Sequence, residues 1–305
     1  SSCVASPGGY QWAIEQANSS PGHDIISIDI PEFTMNDCVI QGSDDLPIAI
    51  TESVDIVGNG NTANGNVAYV NSQGFVNSSA GICPTRSDIA WASMGGSLID
   101  VGVRNTDSSG IEVTISGLNM KLLTRIGRIR ENAKLTIEDA TIENVLSVTL
   151  SCNTPLIEAE PGADLTIRNT DFYRLSVPGG GGQSQQDGST GYPWQPSTAV
   201  IAGYDAGELT MDRVSVVDSL GREAALVIWE GGVVKIVSSR FFESGGFVFY
   251  NSSVDFVNSI FHKSLPSPGQ YRDNIFLYNG AVLNSEASTF YWTSLGCRPE
   301  RNCVV

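Results

Sequence analysis

The sequence predicts an all-β chain: a right-handed parallel β-helix (β-solenoid) with a short N-terminal capping helix. Three observations carry this. An apolar motif recurs, its residues alternate with period two, and short polar groups stand at the same place within each copy. The motif is two apolar residues flanking one other residue, with a bulky apolar residue five positions further on. It occurs as Val113-Thr114-Ile115 with Met120, Leu135-Thr136-Ile137 with Ile142, and Leu165-Thr166-Ile167 with Phe172. It returns as Leu209-Thr210-Met211 with Val216, Val234-Lys235-Ile236 with Phe241, and Val254-Asp255-Phe256 with Phe261. The starts lie 22, 30, 44, 25 and 20 residues apart, the period of a solenoid. So short an alternating unit reads as a strand, a bend and a second strand. A helical repeat would show i, i+3, i+4 spacing, and a leucine-rich repeat a regular Leu-x-x-Leu-x-Leu register. Neither is present. Residues 113, 135, 165, 209, 234 and 254 are therefore expected to stack in one inward row.

Taken in order, residues 10–18 come first. Apolar Tyr10, Ala13, Ile14 and Ala17 have helical spacing, and Ser19-Ser20-Pro21-Gly22 stops them. A short amphipathic helix here covers the open end of the solenoid, whose apolar disc and unpaired backbone would otherwise invite aggregation. The first strand begins at Asp24. Residues 61–95 are polar and rich in Gly, Asn and Ser, so a long loop or irregular coil is expected. The corners inside the motif are Glu138-Asp139, Arg168-Asn169, Asp212-Arg213, Ser238-Ser239 and Asn258-Ser259. Asn, Asp and Ser suit tight corners because their side chains bond nearby backbone, and Asn and Asp tolerate left-handed φ. A Gly-rich insertion over 178–197 accounts for the 44-residue step. The last coil runs from Ile275 to Thr293. The domain reading is a single unit: cap 1–24, coils 25–293, and a tail 294–305.

The opening carries a family resemblance. Ala13-Ile14-Glu15-Gln16-Ala17-Asn18, then Pro21-Gly22-His23-Asp24-Ile25-Ile26, is similar to the start of CSLREA-type proteins. There a Leu-Arg-Glu-Ala-Ile-x-x-Ala-Asn helix leads into Pro-Gly-x-Asp-x-Ile and a strand. The pair of segments 46–51 and 54–60, the latter ending in Gly58-Asn59-Gly60, resembles that family's next strand pair. Gly9-Tyr10-Gln11-Trp12 stands where the family has Leu-Arg-Glu. The resemblance covers about 60 residues. It implies a secreted or surface-attached right-handed β-helix and no particular activity.

Composition narrows the partners. Charged residues make up 16% of the chain and the net charge is −16. An acidic surface argues against nucleic acid and against anionic membranes, both of which need a basic face. No stretch of 18 apolar residues exists, so no membrane span is expected. The start at Ser1-Ser2-Cys3 resembles a mature N-terminus after signal cleavage. Six cysteines, Cys3, Cys38, Cys83, Cys152, Cys297 and Cys303, are widely spaced with no Cys-x-x-Cys. That pattern reads as disulfides in an oxidising, extracellular compartment rather than as a zinc site. Cys297 with Cys303 closes a short loop, which makes the tail disulfide-closed. Cys3 with Cys38 would clip the cap, leaving Cys83 with Cys152. Sequons stand at Asn18, Asn77 and Asn251.

Parallel β-helices often act on polysaccharides. Glycoside hydrolysis needs two or three carboxylates around one bond. Hydrolases resembling polygalacturonases carry Asn-Thr-Asp, a following Asp-Asp, Gly-His-Gly and Arg-Ile-Lys. Here Asn-Thr-Asp occurs at Asn105-Thr106-Asp107 and Asn169-Thr170-Asp171, but the Asp44-Asp45 pair precedes both. Gly-His-Gly and Arg-Ile-Lys are missing, and Asn-Thr-Asp is also ordinary corner chemistry. A lyase would pair an Arg or Lys base with carboxylates. The residues offered for either reaction are Asp171, Asp212 and Arg213. Asp205, Glu208 and Asp212 could hold calcium, which favours oxygen ligands. No other cofactor is expected. Asp187, Tyr192 and Trp194, on the 178–197 insertion, could contact a sugar ring or pin the loop. His262, next to Lys263, reads as a surface residue.

Two functions follow. The first is a non-catalytic extracellular β-helix, secreted or on the cell surface, acting as a surface, matrix or filament-forming structural or adhesive protein. Its assembly surface would be the aromatic last coil and apolar end: Tyr291, Trp292, Val304 and Val305. The second is a polysaccharide lyase or glycoside hydrolase working in a groove on the β-helix. An outer-face groove with three or more converging charges would favour the second, and a scattered surface the first.

Overall fold

In a computed structural model the structure describes residues 7–34, 49–65, 97–103, 105–123, 125–143, 155–175, 199–219, 225–262, 275–291, 293 and 295–297. Three nine-stranded sheets are wound together, and each strand pairs in parallel with its counterparts in the adjacent coils. This is a right-handed parallel β-helix. The first motif strands form one sheet in the expected register: Val113, Leu135, Leu165, Leu209, Val234 and Val254 are successive partners. The row continues to Val54 before them and Leu283 after them. All eight are buried. The second motif strands form the next sheet, where Met120, Ile142, Phe172, Val216, Phe241, Phe261 and Phe290 are stacked partners.

The corner between these sheets explains the polar pairs. Asp139, Asn169, Arg213, Ser238 and Asn258 all have φ between 47° and 53°. Each N–H there donates to a carbonyl of the next coil: those of Arg168, Asp212, Val237, Val257 and Glu286, at 2.9–3.2 Å. The residue that follows is buried, and in the later coils it is a serine. Ser239 and Ser259 donate through Oγ to the carbonyls of Val237 and Val257 two residues back, at 2.8 and 2.9 Å. They also accept the N–H groups of Val214 and Ser239 from the coil before, at 3.0 and 3.2 Å. A hydroxyl can do both at once, so the ladder satisfies buried backbone where the chain turns too sharply for sheet pairing.

Each coil carries a third strand beyond the expected two. The third sheet includes Arg125–Ile129, Ala199–Gly203, Ala225–Glu230, Phe247–Tyr250 and Ile275–Tyr278. Its later strands are buried on both faces. The inner face supplies Phe247 and Phe249, and the outer face a second cluster with Ile228, Val248, Phe276 and the stacked pair Tyr250–Tyr278, 5.0 Å apart. Gly203 is partnered with Trp229 in this sheet. A Cβ on Gly203 would lie 2.6 Å from the fully buried indole. Gly203→Ala is therefore expected to destabilise by about 1–3 kcal/mol, as overpacking does. Denaturant unfolding checks it, and an unchanged midpoint would count against this packing.

The helix Tyr10–Ser19 buries Tyr10, Ile14 and Ala17 against the first coil, as its spacing predicts. Asn18 fixes it there: its Nδ2 donates to the Ala49 carbonyl at 2.7 Å and its Oδ1 accepts the Thr51 N–H at 2.8 Å. The sequon amide at Asn18 is thus occupied by backbone, whereas Asn251 stands exposed at a left-handed corner. Among the described residues, no helix is long and apolar enough to cross a membrane.

Candidate functional site

The densest charge on the described surface lies on the outer face of the third sheet, in coils where that face is not yet apolar. Asp100, Arg128 and Glu158 are register partners on three successive strands. Strand neighbours stand about 4.8 Å apart, so these three side chains stack directly. Two residues further on, Arg130 and Glu160 continue the outward alternation. Arg125 joins from the strand's start, where the N–H groups of Ile126 and Gly127 both donate to the Leu156 carbonyl. That bulge resets which side chains face out.

The bonding is dense. Arg130 grips Asp100 with two bonds, Nε to Oδ1 at 3.0 Å and Nη2 to Oδ2 at 2.6 Å. Its Nη1 reaches Glu160 at 2.8 Å. Arg128 donates Nε to Glu158 at 3.0 Å, and Arg125 Nη2 bonds the same carboxylate oxygen. Arg125, Arg130 and Asp100 are 4–6% exposed at their side chains, Arg128 23% and Glu158 18%. Three guanidinium groups thus face three carboxylates, and the cluster is formally neutral. Burial pushes the Asp100 carboxyl above its ordinary range in spite of Arg130. Burial also lowers the Arg125 guanidinium to about 10, against the pull of Glu158. Tyr204 follows on the next coil, its phenol pushed up by burial and by Glu158 and Glu230. A phenol held protonated is a hydrogen-bond donor, not a base.

The arrangement can do two things chemically. It locks three coils together. It also presents a half-exposed line of Arg128, Glu158, Glu160 and Tyr204 that could meet a polar ligand. It offers no carboxylate standing clear of a guanidinium, which acid–base hydrolysis would use.

The residues singled out from sequence lie elsewhere. Asp212 ends the strand Glu208–Asp212, Arg213 takes the next left-handed corner, and Asp171 starts the strand Asp171–Tyr173 in the neighbouring sheet. Arg213 pairs with Asp212 at 2.9 Å and donates Nε to Asn169 Oδ1. Its side chain is 57% exposed. Among the described residues, no hydrogen bond or ion pair joins Asp171 to either. Of the calcium candidates, Glu208 and Asp212 stand four residues apart on one strand, roughly 13 Å at about 3.3 Å per residue. Glu208 accepts from Thr210 Oγ1 at 2.6 Å and Lys235 at 3.0 Å, bonds that hold its carboxyl below the usual range. Asp205 occupies an exposed corner. Among the described residues no group of three or more His, Cys, Asp or Glu is placed to hold a metal ion.

Asp187, Tyr192, Trp194, Trp292, Val304 and Val305 lie outside the described residues. So do Cys3, Cys38, Cys83, Cys152 and Cys303; Cys297 ends the strand Leu295–Cys297. Tyr291 is 51% exposed and stacks on His262, ring centroids 5.0 Å apart. His262 is half-buried beneath it rather than free on the surface.

Sequence reasoning missed the arginine cluster, yet a signal was present. Arg128-Ile129-Arg130 and Glu158-Ala159-Glu160 lie 30 residues apart, the step that separates Leu135 from Leu165. One coil therefore sets each Arg beside its Glu.

No protein-family model matches the chain, and no curated protein matches it. Among solved structures it is similar to the A-module of mannuronan C-5 epimerase AlgE6 from Azotobacter vinelandii. That likeness has 10% identity and a TM-score of 0.28, covering 95% of this chain and 94% of that one. The A-module of AlgE4 from the same organism matches at 10% identity and a TM-score of 0.22, covering 97% and 94%. The fold assignment rests on the three parallel sheets of this chain, not on these likenesses.

Proposed function

We propose that the protein is a non-catalytic extracellular β-helix, a structural or adhesive component of a surface or matrix. One observation carries the reading. The side chains that converge on its outer face are closed on one another in ion pairs, and Asp212 is likewise paired with Arg213, with no hydrogen bond or ion pair among the described residues joining Asp171 to them. The six cysteines and the CSLREA-like opening support an extracellular location. Its last coil supports self-association. Phe290 stacks on Phe261 at 5.1 Å and Tyr291 on His262, yet Phe290, Tyr291 and Leu295 are 37–51% exposed. Stacked aromatics left in water are material for an interface. A head-to-tail contact would propagate into a filament and a like-with-like contact would stop at a dimer. Light scattering over a concentration series tests this. Wild type is expected to associate and Tyr291→Ser to shift toward monomer. A wild type that stays monomeric at high concentration contradicts the assembly.

The second reading, a polysaccharide lyase or hydrolase, is favoured by the half-exposed Arg128, Glu158 and Tyr204. A glycan array followed by an assay of products from any glycan bound separates the two. Binding without product supports the adhesive role.

A further inference from the structure

The N-terminal mouth of the β-helix holds an open cavity of about 750 Å³ between the capping helix and the first coil. Small-molecule sites occupy roughly 300–1,000 Å³. Trp12 and Gln16 of the helix line one side, and Ile26, Ile28 and Phe33 of the first coil line the other. Tyr10 stacks on Phe33 at 5.3 Å, so the aromatic wall is fixed.

Asp24 is the anomaly in this wall. In the first sheet it occupies the row that Val54, Val113, Leu135, Leu165, Leu209, Val234, Val254 and Leu283 fill in the later coils. Its backbone N–H donates to the Ser53 carbonyl at 3.1 Å, which pins the residue in register. One carboxylate oxygen, Oδ2, is enclosed and accepts no hydrogen bond. Asp29 adds a second carboxylate to the lining, and no Lys, Arg or His stands among the described lining residues. Asp24 is partly exposed, but a carboxylate oxygen shut off from water without a hydrogen bond is costly unless a cation meets the group. An inward charge in an end coil also discourages another copy from stacking there. That purpose needs no aromatic-walled cavity beside it.

The geometry points to a binding site for a small organic ammonium, its apolar or aromatic body on Ile26, Ile28 and Phe33 and its charged nitrogen at Asp24. The site is separate from the scaffold role and stands or falls without it.

Calorimetric titration of the full chain with phenethylammonium, and with 2-phenylethanol as its uncharged match, tests this. The cation is expected to bind at one site at least about tenfold more tightly than the alcohol, since a charge-assisted bond to the partly exposed carboxylate separates them. Asp24→Asn keeps the shape and loses that margin. Asp24→Val restores the residue type of the later coils; it abolishes the preference and raises the unfolding midpoint, which also shows that the variant folds. Absence of binding by the cation, equal affinity for the two probes, or a preference that survives Asp24→Asn overturns the site.

Discussion

Phe261→Ala is expected to destabilise the protein by about 3–5 kcal/mol, the cost of emptying a large aromatic site in a packed core. Phe261 is fully buried. Its ring stacks on Phe241 at 5.0 Å and on Phe290 at 5.1 Å, and lies 5.4 Å from Phe247 and 4.7 Å from Phe256. These four neighbours come from different coils or different sheets, so no single local shift can close the gap. The loss is part transfer free energy and part cavity. In a solenoid each coil is held by its neighbours, so opening should begin at the C-terminal coils. Hydrogen exchange is the sharper readout. Amides of the strands Ile260–His262 and Val282–Glu286 should lose protection before those of Glu112–Ser116. Uniform loss along the chain would contradict stacking as the source of stability.

Arg130→Met is expected to cost up to about 3–5 kcal/mol, because it strips the enclosed Asp100 carboxylate of both its guanidinium bonds and leaves only the charges of Arg128 and Arg125 near it. Asp100 is 6% exposed at its side chain and takes two bonds from Arg130. Glu160 loses a 2.8 Å bond as well, but it is 26% exposed and can turn to water. Replacing both partners, Arg130→Met with Asp100→Leu, should recover most of the loss, since an apolar pair has no desolvation debt. Unfolding free energies of the two single variants and the double form the cycle that measures it. A double variant as unstable as the sum of the singles would show no coupling between the two side chains and would contradict an unpaired Asp100 as the source of the loss.

Two of the three sheets were legible in the sequence because each has one face inward and one outward. Val113-Thr114-Ile115 and its kin alternate for that reason, and the left-handed corner at Asn169 or Asn258 announces itself by residue type. The third sheet was not legible as a repeat. Strands such as Ala199–Gly203 and Ala225–Glu230 are buried on both faces, so their side chains have no reason to alternate, and only Ile275–Tyr278 stood out as an apolar run. The arginine cluster went unseen for a related reason. Its logic runs between coils, from Arg128 to Glu158, and a search within contiguous motifs does not cross that distance. Asp24 was hidden in the same way. Only the register Asp24 to Val54 reveals that a carboxylate has taken a core position. The residues chosen instead, Asp212 and Arg213, belong to the corner, where polar side chains serve the turn.

The claim that the converging charges are structural is tested most directly by incubating the protein with a panel of neutral and uronate polysaccharides. Reducing ends and the ultraviolet absorbance of unsaturated uronates are then measured, beside Glu158→Gln and Tyr204→Phe. The account predicts no product from any of the three proteins, whether or not a glycan binds. Product from the wild type that falls at least about tenfold in Glu158→Gln, with the variant still folded, would assign the cluster to catalysis and contradict it.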